Sequence, residues 1–209
     1  MRIFFIRHGM TKGNLEKRYI GITDEALCQD GIRQLKEKRE IYQMIPNDAV
    51  VWASPMKRCL QTVKILWNDD IQKKEGFKTK LDLQINSGLR ECNFGAWEGK
   101  NYLDLIHDQD YQQWIDSGGI LPFPKGESVE QFKERCVQAF LQIWNYEKER
   151  KTKNLVLVVH GGTIMAILER LGYPKKGYYD YQCKNGSGYC CRAEEDAEKQ
   201  VVLWTEYLL

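Results

Sequence analysis

Three short runs of consecutive apolar residues interrupt a chain that elsewhere mixes apolar and polar positions. They are Ile3–Ile6, Ala49–Ala53 and Leu155–Val159. Continuous apolar residues, in place of strict alternation, are typical of strands buried on both faces, as in a parallel sheet. A weaker strand is predicted near Leu81–Ile85, and a last strand over Val201–Tyr207.

An amphipathic helical pattern follows each of the three runs. Apolar residues recur at three- and four-residue spacing at Ile32, Leu35 and Ile41, at Cys59, Val63 and Leu66, and at Ile164, Ile167 and Leu171. The longest helix is predicted from Ser128 to Glu149, where Ser128 and Gln131 form a capping box. Helices between strands favour an α/β fold. We expect three layers, α/β/α, around a mostly parallel sheet of six strands.

A length of 209 residues fits one domain that carries an insertion. We predict a single domain over residues 1–209 with a lid-like insertion around residues 92–126. That interval contains short helical patterns and the pair Gly118–Gly119, and it interrupts the regular succession of strands and helices. The insertion should therefore cover one end of the sheet.

The charge balance argues against several classes of partner. The chain has 31 basic and 29 acidic residues, a net charge of +2, and no polybasic run, so nucleic acid and anionic membrane surfaces are not expected partners. No stretch approaches the roughly 18 apolar residues of a membrane span. The seven cysteines include no C-x-x-C pair, which argues against a zinc site. Reduced thiols, and hence a cytoplasmic protein, are the expectation. No cofactor is expected.

The candidate chemistry lies where the apolar runs end. Arg7, His8 and Gly9 close the first run, and His160 closes the run before Gly161, so two of three histidines occupy strand ends. Open α/β sheets bind ligands beyond the carboxyl ends of their strands. Arg58 follows the second run in the first turn of the next helix. We therefore expect Arg7, His8, Arg58 and His160 to meet at one edge of the sheet.

This set of residue types suits a phosphate group. The arginines offer planar forks that match phosphate oxygens two at a time. Thr11 and Asn14 add neutral donors, and the backbone N–H at Gly161 can approach an anion where the next helix starts. Gly21 is counted with these phosphate- or substrate-binding positions.

Two roles are open to a histidine in such a pocket. A neutral imidazole can attack phosphorus, which suits His8, whereas an imidazolium can stabilise charge on the phosphoryl oxygens, which suits His160. Transfer also needs a proton for the departing alkoxide. Glu91 is the candidate acid, with Glu98 as the rival from the same loop.

Taken singly, each of these residues has an ordinary structural explanation. A histidine at a strand end is more often part of the core or its rim, and Glu91 alone would be a solvated loop acid. His107 keeps the simple interpretation of a surface helix residue. The convergence of all the required residue types on one edge is what favours phosphoryl chemistry.

The chain resembles the histidine phosphatase superfamily, also called phosphoglycerate mutase-like. The resemblance rests on motifs in the family's order: Arg7-His8-Gly9-x-Thr11-x-x-Asn14, Ser54-Pro55-x-x-Arg58, Leu89-Arg90-Glu91-x-x-Phe94-Gly95-x-Trp97-Glu98-Gly99, Gly126-Glu127-Ser128 and His160-Gly161-Gly162. It implies a mixed sheet with one antiparallel strand. It also implies a phosphohistidine on His8, with Glu91 as proton donor and no metal. Met10 and Cys28 depart from the residues usual in the family, and Cys28 should make a weaker helix cap.

Within that family the chain is more similar to a phosphatase than to a mutase. Only about 35 residues separate Glu91 from Gly126-Glu127-Ser128, whereas cofactor-dependent mutases have a longer insertion there. The loop from Phe94 to Gly99 resembles that of α-ribazole phosphatases of cobalamin synthesis, and of broad-specificity phosphatases. The alternatives are a phosphoglycerate mutase and a non-catalytic phospholigand binder, and the latter is disfavoured because His8 and Glu91 are both present.

Specificity for a small phosphorylated metabolite should come from the insertion. Five residues in it or just before it are candidates for the mouth of the site: Arg90, Trp97, Lys100, Tyr102 and Trp114. The last strand could extend a sheet across a homodimer.

Overall fold

The computed structural model describes residues 1–68 and 83–209. The strands are β1 Arg2–Arg7, β2 Val50–Ala53, β3 Leu83–Ile85, β4 Asn154–Val159, β5 Gly172–Tyr173, β6 Gly188–Glu195 and β7 Val201–Leu208. The helices are α1 Lys12–Leu15, α2 Gln29–Glu37, α3 Arg39–Tyr42, α4 Lys57–Val63, α5 Tyr102–Leu105, α6 Gln109–Asp116, α7 Val129–Glu149 and α8 Gly161–Leu171. A π-helical turn, Lys64–Asn68, continues α4.

The strands form one sheet in the order β3-β2-β4-β1-β6-β7-β5. β3, β2, β4 and β1 pair in parallel, and β6 runs antiparallel to both β1 and β7. The expected mixed, mostly parallel sheet is therefore confirmed. The described part of the chain contributes seven strands, one more than expected, because the two-residue β5 pairs with β7 at the edge. Such a short strand leaves no periodic signal in the sequence.

Two apolar cores, one on each face of the sheet, confirm the three-layer arrangement. Alternate residues of β1 divide between them: Ile3 and Phe5 face the core built with α7 and α8, whereas Phe4 and Ile6 face the core of α2 and α4. β4 is buried along its whole length. Continuous apolar runs were the correct indication, since a central strand covered by helices has no polar face.

The helix boundaries follow from their caps. In α7 the Ser128 hydroxyl accepts from Gln131 N at 3.1 Å and the Gln131 side chain accepts from Ser128 N, which confirms the predicted capping box. The Cys28 thiol caps α2 by accepting from Gly31 N at 3.4 Å.

The predicted weak strand is present only as Leu83–Ile85, and residues 81–82 of that prediction lie outside the described residues. Among the described helices, none combines the length with the hydropathy of a membrane-spanning helix.

Between β3 and α7 the chain forms short helical pieces around a cluster of aromatic rings. Trp97, only 1% exposed, is at its centre and contacts Tyr111, Trp114 and Phe123 with ring centroids 5.2–5.7 Å apart. Tyr19, from the segment after α1, packs on Trp97 at 6.2 Å. Through Tyr19 this cluster links the 92–126 interval to the segment that follows α1.

Candidate active site

Three parallel strands end together at one edge of the sheet. Arg7 is in register with Val159, and Ala53 with Val158, so the residues that follow β1, β2 and β4 emerge side by side. These residues are His8, Ser54 and His160, and all three are buried. The sheet topology thus brings the sequence-predicted histidines to one place, with ring centroids 5.2 Å apart.

The His8 ring is held in a defined tautomer. Its Nδ1 lies 2.6 Å from the carbonyl oxygen of Gly9, which can only accept, so Nδ1 carries the hydrogen. Burial, followed by the charge of Arg58, lowers the pKa of His8 well below its ordinary value, despite the opposing Gly9 bond. The ring is therefore neutral near pH 7, and its Nε2 lone pair is the available nucleophile.

Arg58 links the 21–23 loop to His160. Its guanidinium is 1% exposed and donates through Nη1 to Thr23 O at 2.8 Å and through Nη2 to Gly21 O at 2.9 Å. Its Nε donates to His160 Nδ1 at 3.2 Å. The guanidinium is thus fixed in one orientation and still has a free hydrogen on each Nη.

The protonation of His160 differs from the sequence-based expectation of an imidazolium. Because Arg58 Nε can only donate, His160 Nδ1 must be an unprotonated acceptor, and Nε2–H donates to Ser54 Oγ at 2.8 Å. Burial, followed by the charge of Arg58, lowers the pKa of His160 well below its ordinary value. His160 is therefore a neutral ring that orients Arg58 in the unliganded site.

Arg7 supplies the clearest indication that an anion binds here. Its Nη1 donates to Cys183 O at 2.6 Å. Its Nε is buried, and the described residues offer it no hydrogen-bond partner. An unpaired buried guanidinium donor is costly, and a phosphate oxygen would satisfy it. Arg7 and Gly161 both line a cavity of about 510 Å³ at this edge.

Glu91 lines the same cavity. Its Oε1 accepts from Cys92 N at 3.0 Å and its Oε2 from Gly162 N at 3.1 Å, at the start of α8. A Cβ on residue 162 would overlap Oε1, so only glycine allows this approach. Burial raises the pKa of Glu91 above its ordinary value, against the effect of the two N–H groups and of both arginines. A raised pKa favours the protonated form that a general acid needs.

Glu98, the rival acid, has a structural position. Its carboxylate accepts from the backbone N–H of Gly21, Ile22 and Thr23 and from the Thr23 hydroxyl at 2.7–3.4 Å. It also accepts from Phe94 N at 3.2 Å. Its oxygens are occupied by these loop donors, and Glu98 is not among the residues that line the cavity. Glu98 instead fixes the 21–23 loop, whose carbonyls hold Arg58.

We expect Glu98→Gln to weaken anion binding and lower stability together. The substitution places an NH₂ group against N–H donors, which loosens the loop carbonyls that orient Arg58. Since a hydrogen bond to a charged group contributes about 1.5–3 kcal/mol, affinity for inorganic phosphate should fall about tenfold or more, with a lower Tm. Glu37→Gln, on an exposed helix face, should leave both quantities unchanged. Wild-type phosphate affinity in Glu98→Gln would contradict this role.

Two predicted binding residues serve the framework of the site. Thr11 is fully buried, and its hydroxyl accepts from Asn14 N at 3.2 Å as the cap of α1. Gly21 acts through its carbonyl on Arg58, and a Cβ there would overlap Cys92 O. Asn14 does line the cavity, and because its Oδ1 already accepts from Thr11 N and Asn185 Nδ2, its amide hydrogens remain for a ligand.

Asn185 is a site residue that sequence reasoning missed. Its Nδ2 lies 3.2 Å from His8 O and 3.0 Å from Asn14 Oδ1. Ligands of open α/β sheets lie beyond the carboxyl ends of the parallel strands. β6 is antiparallel, however, so its beginning at Gly188 lies beside Ile6 near the end of β1. The turn before an antiparallel neighbour is therefore the signal that could have revealed Asn185.

The wall of the cavity differs from the expected mouth. Of the five predicted specificity residues only Trp114 lines it; Trp97 is buried in the aromatic cluster, and Arg90, Lys100 and Tyr102 are absent from the wall. The other rings that line it come from widely separated parts of the chain: Tyr19, Phe94, Phe123, Phe132, Tyr178 and Tyr179. Long-range packing of these segments has no local signature, which is why the sequence did not indicate them.

No group of three His, Cys, Asp or Glu side chains within residues 1–68 and 83–209 is arranged as metal ligands would be. Cys59 lies nearest to the histidines, with Sγ 3.6 Å from His160 Nε2. Burial raises the pKa of this thiol to about 12, so Cys59 stays protonated and unreactive beside the ring.

Comparison with known proteins agrees with this geometry. The family model of the histidine phosphatase superfamily (branch 1) matches residues 3–206. An adenosylcobalamin/α-ribazole phosphatase of Escherichia coli is 24% identical over 189 residues, covering 89% of this chain and 87% of its own length. A broad-specificity phosphatase of Saccharomyces cerevisiae is 31% identical over 175 residues, covering 83% and 71%.

Solved structures show the same fold. The α-ribazole phosphatase of Shigella flexneri superposes with a TM-score of 0.78 at 22% identity, covering 97% of this chain and 94% of that one. A mycobacterial glucosyl-3-phosphoglycerate phosphatase in complex with VO₃ gives 0.78 at 22% identity, covering 99% and 97%. The family model spans nearly the whole chain and its motifs meet at the strand ends, so the chain belongs to branch 1 of the histidine phosphatase superfamily.

Proposed function

We propose that this protein is a phosphatase that hydrolyses a small phosphate monoester through a phosphohistidine on His8. The observation that carries the proposal is the neutral His8 ring, whose Nδ1–H is fixed by Gly9 O and whose Nε2 is left as the nucleophile. Arg7, Arg58 and Asn14 supply donors for the phosphoryl oxygens. Glu91 is the acid that protonates the leaving oxygen.

In the first step the Nε2 lone pair of His8 attacks phosphorus, and the bond from phosphorus to the ester oxygen breaks. Glu91 donates its proton to that oxygen, which leaves as an alcohol. Arg7 and Arg58 stabilise the negative charge on the remaining phosphoryl oxygens in the transition state. The His8 ring retains its Nδ1–H bond to Gly9 O, which stabilises the positive charge on the phosphorylated imidazole.

In the second step Glu91, now a carboxylate, accepts a proton from water. The water oxygen bonds to phosphorus, the bond from phosphorus to Nε2 breaks, and inorganic phosphate leaves. His8 and Glu91 are thereby restored to their starting protonation states. Each step uses the same acid–base group in opposite directions.

The cavity wall favours a substrate with a planar apolar group. A volume of about 510 Å³, lined by several aromatic rings, fits a nucleotide-sized ligand. This supports α-ribazole 5′-phosphate, whose base could stack on such rings and which is the kind of substrate named for the α-ribazole phosphatase of Escherichia coli. With that substrate the protein would act in cobalamin synthesis. We further propose that the 92–126 interval is the lid-like insertion of a single domain, since Phe94, Trp114 and Phe123 come from it.

The substrate proposal is tested with two phosphates that share a leaving alkoxide. Release of phosphate from α-ribazole 5′-phosphate and ribose 5-phosphate is compared, with 3-phosphoglycerate as a mutase control. We expect kcat/KM to favour the ribazole about 100-fold or more, about 2.7 kcal/mol of transition-state binding. Equal values would leave a broad-specificity phosphatase, and conversion of 3-phosphoglycerate to 2-phosphoglycerate faster than phosphate release would indicate a mutase.

A further inference from the structure

Glu91 is held in place by a side chain that does not reach the substrate cavity wall. The segment that carries it, residues 88–93, follows β3 without forming a regular element beyond the turn Ser87–Leu89. Its carboxylate makes two hydrogen bonds to backbone N–H groups. An acid placed on an irregular segment requires support from elsewhere, because general acid catalysis depends on position to within fractions of an ångström.

The support comes from Arg135 in the second turn of α7. Its Nη1 donates to Gly88 O at 2.9 Å and to Arg90 O at 3.0 Å. Its Nη2 donates to Glu91 O at 3.3 Å. One guanidinium therefore gathers three carbonyls from the four residues that end in the catalytic acid.

Glu127 completes the arrangement. Its Oε1 accepts from Arg135 Nε at 2.8 Å and its Oε2 from Arg135 Nη2 at 2.7 Å, a bidentate pair. Oε2 also accepts from Asn93 N at 2.9 Å, on the other side of Glu91. All five N–H groups of Arg135 are thus used, and Glu127 and Arg135 enclose the 88–93 segment from both ends.

The charge states agree with this geometry. Burial opposes ionisation of Glu127, but the Arg135 and Asn93 hydrogen bonds dominate and lower its pKa. The pKa of Arg135 is raised, since the bonds to Glu127 outweigh the effect of burial. The pair is therefore fully ionised, and its charge-assisted bonds are stronger than neutral ones.

We propose that Arg135, oriented by Glu127, is a positioning residue for Glu91 and controls how well Glu91 protonates the leaving group. This inference rests on the proposed phosphatase function. A lysine could keep the charge next to Glu127 but could not span three carbonyls, because only the planar guanidinium fork has that geometry. Positioning of Glu91 therefore depends on the planar geometry of the guanidinium and not on its positive charge alone.

The test compares esters that need the acid with one that does not. A poor alkoxide leaving group, as in ribose 5-phosphate, requires protonation, whereas p-nitrophenolate leaves without it. In Arg135→Lys we expect kcat/KM to fall about 10- to 100-fold for ribose 5-phosphate and to stay within about threefold for p-nitrophenyl phosphate. The quantity kcat/KM reports on the steps through the first irreversible one, so slow hydrolysis of the phosphohistidine does not mask the comparison.

Three further variants keep the interpretation distinct from loss of folding. Arg33→Lys, on the exposed face of α2, should match the wild type on both esters. Glu127→Gln should reproduce the leaving-group pattern of Arg135→Lys at a smaller size. In the double variant Arg135→Lys/Glu91→Gln the loss should not exceed that of Glu91→Gln alone, since Arg135 acts through Glu91.

Failure of the positioning role and failure of the proposed phosphatase function give different results. Equal losses on both esters in Arg135→Lys, or no loss on either, would overturn the positioning role while the wild type remains a phosphatase. A wild type that releases no phosphate from either ester would overturn the proposed function itself, and the role of Arg135 with it.

Discussion

Phosphate release should disappear in His8→Ala. Removing the nucleophile of an enzyme with a covalent intermediate costs on the order of 10⁶-fold in kcat, because the remaining groups can bind the ester but cannot divide the reaction into two steps. The Nδ1–H bond to Gly9 O leaves only Nε2 for attack, and no neighbouring ring can replace it, since His160 uses both nitrogens on Arg58 and Ser54. Phosphate release from p-nitrophenyl phosphate measures the loss.

The matched control is His107→Ala. His107 is exposed, and it lies between α5 and α6, so its loss should leave kcat unchanged. Rapid acid quench with a radiolabelled ester should trap label on the wild type and none on His8→Ala. Full activity of a folded His8→Ala protein would end the phosphohistidine mechanism, whatever its substrate.

Glu91→Gln should slow turnover on the order of 10²–10⁴-fold for alkyl esters, the usual contribution of a general acid. Glutamine retains acceptor capacity toward Gly162 N and the shape of the side chain, but it has no acidic proton to give. The loss in kcat/KM should be much smaller for p-nitrophenyl phosphate, whose leaving group needs no proton. A uniform loss on all esters would indicate that Glu91 acts in binding and not as the acid.

The pH dependence gives an independent check on the same residue. Burial raises the pKa of Glu91, and the protonated form is active in the first step, so kcat/KM should fall as pH rises through that pKa. Burial lowers the pKa of His8, and the neutral ring is the active form. The decrease of kcat/KM that accompanies protonation of His8 should therefore occur well below the ordinary pKa of a histidine. Glu91→Gln should abolish the alkaline limb while the acid limb remains.

Much of the fold was predictable because its centre is simple. β1 and β4 are covered on both faces, and a continuous apolar run reports such burial directly. The cap of α7 was predictable because Ser128 and Gln131 interact within one turn. The edge strand β5 was not, since two residues paired with β7 have no pattern of their own.

Which residues of the candidate site could be predicted depends on the same physical difference, between local patterns and long-range packing. Residues that directly follow buried parallel strands, such as His8 and His160, could be placed by one rule about strand ends. Asn185, Arg135 and the aromatic wall could not, because their positions depend on an antiparallel strand, a helix surface and the packing of distant segments. The charge of His160 was also beyond the sequence, since it is decided by which way Arg58 Nε points.

The order of strands places the partners of β1 far from it along the chain. β1 covers residues 2–7, yet its neighbours β4 and β6 begin at residues 154 and 188. Every pairing of that strand is therefore non-local, and such contacts form slowly because the intervening chain must first be closed into a loop. His8 therefore lies beside His160 and Asn185 only after long loops of the chain have closed, so these contacts of the candidate site should form late in folding.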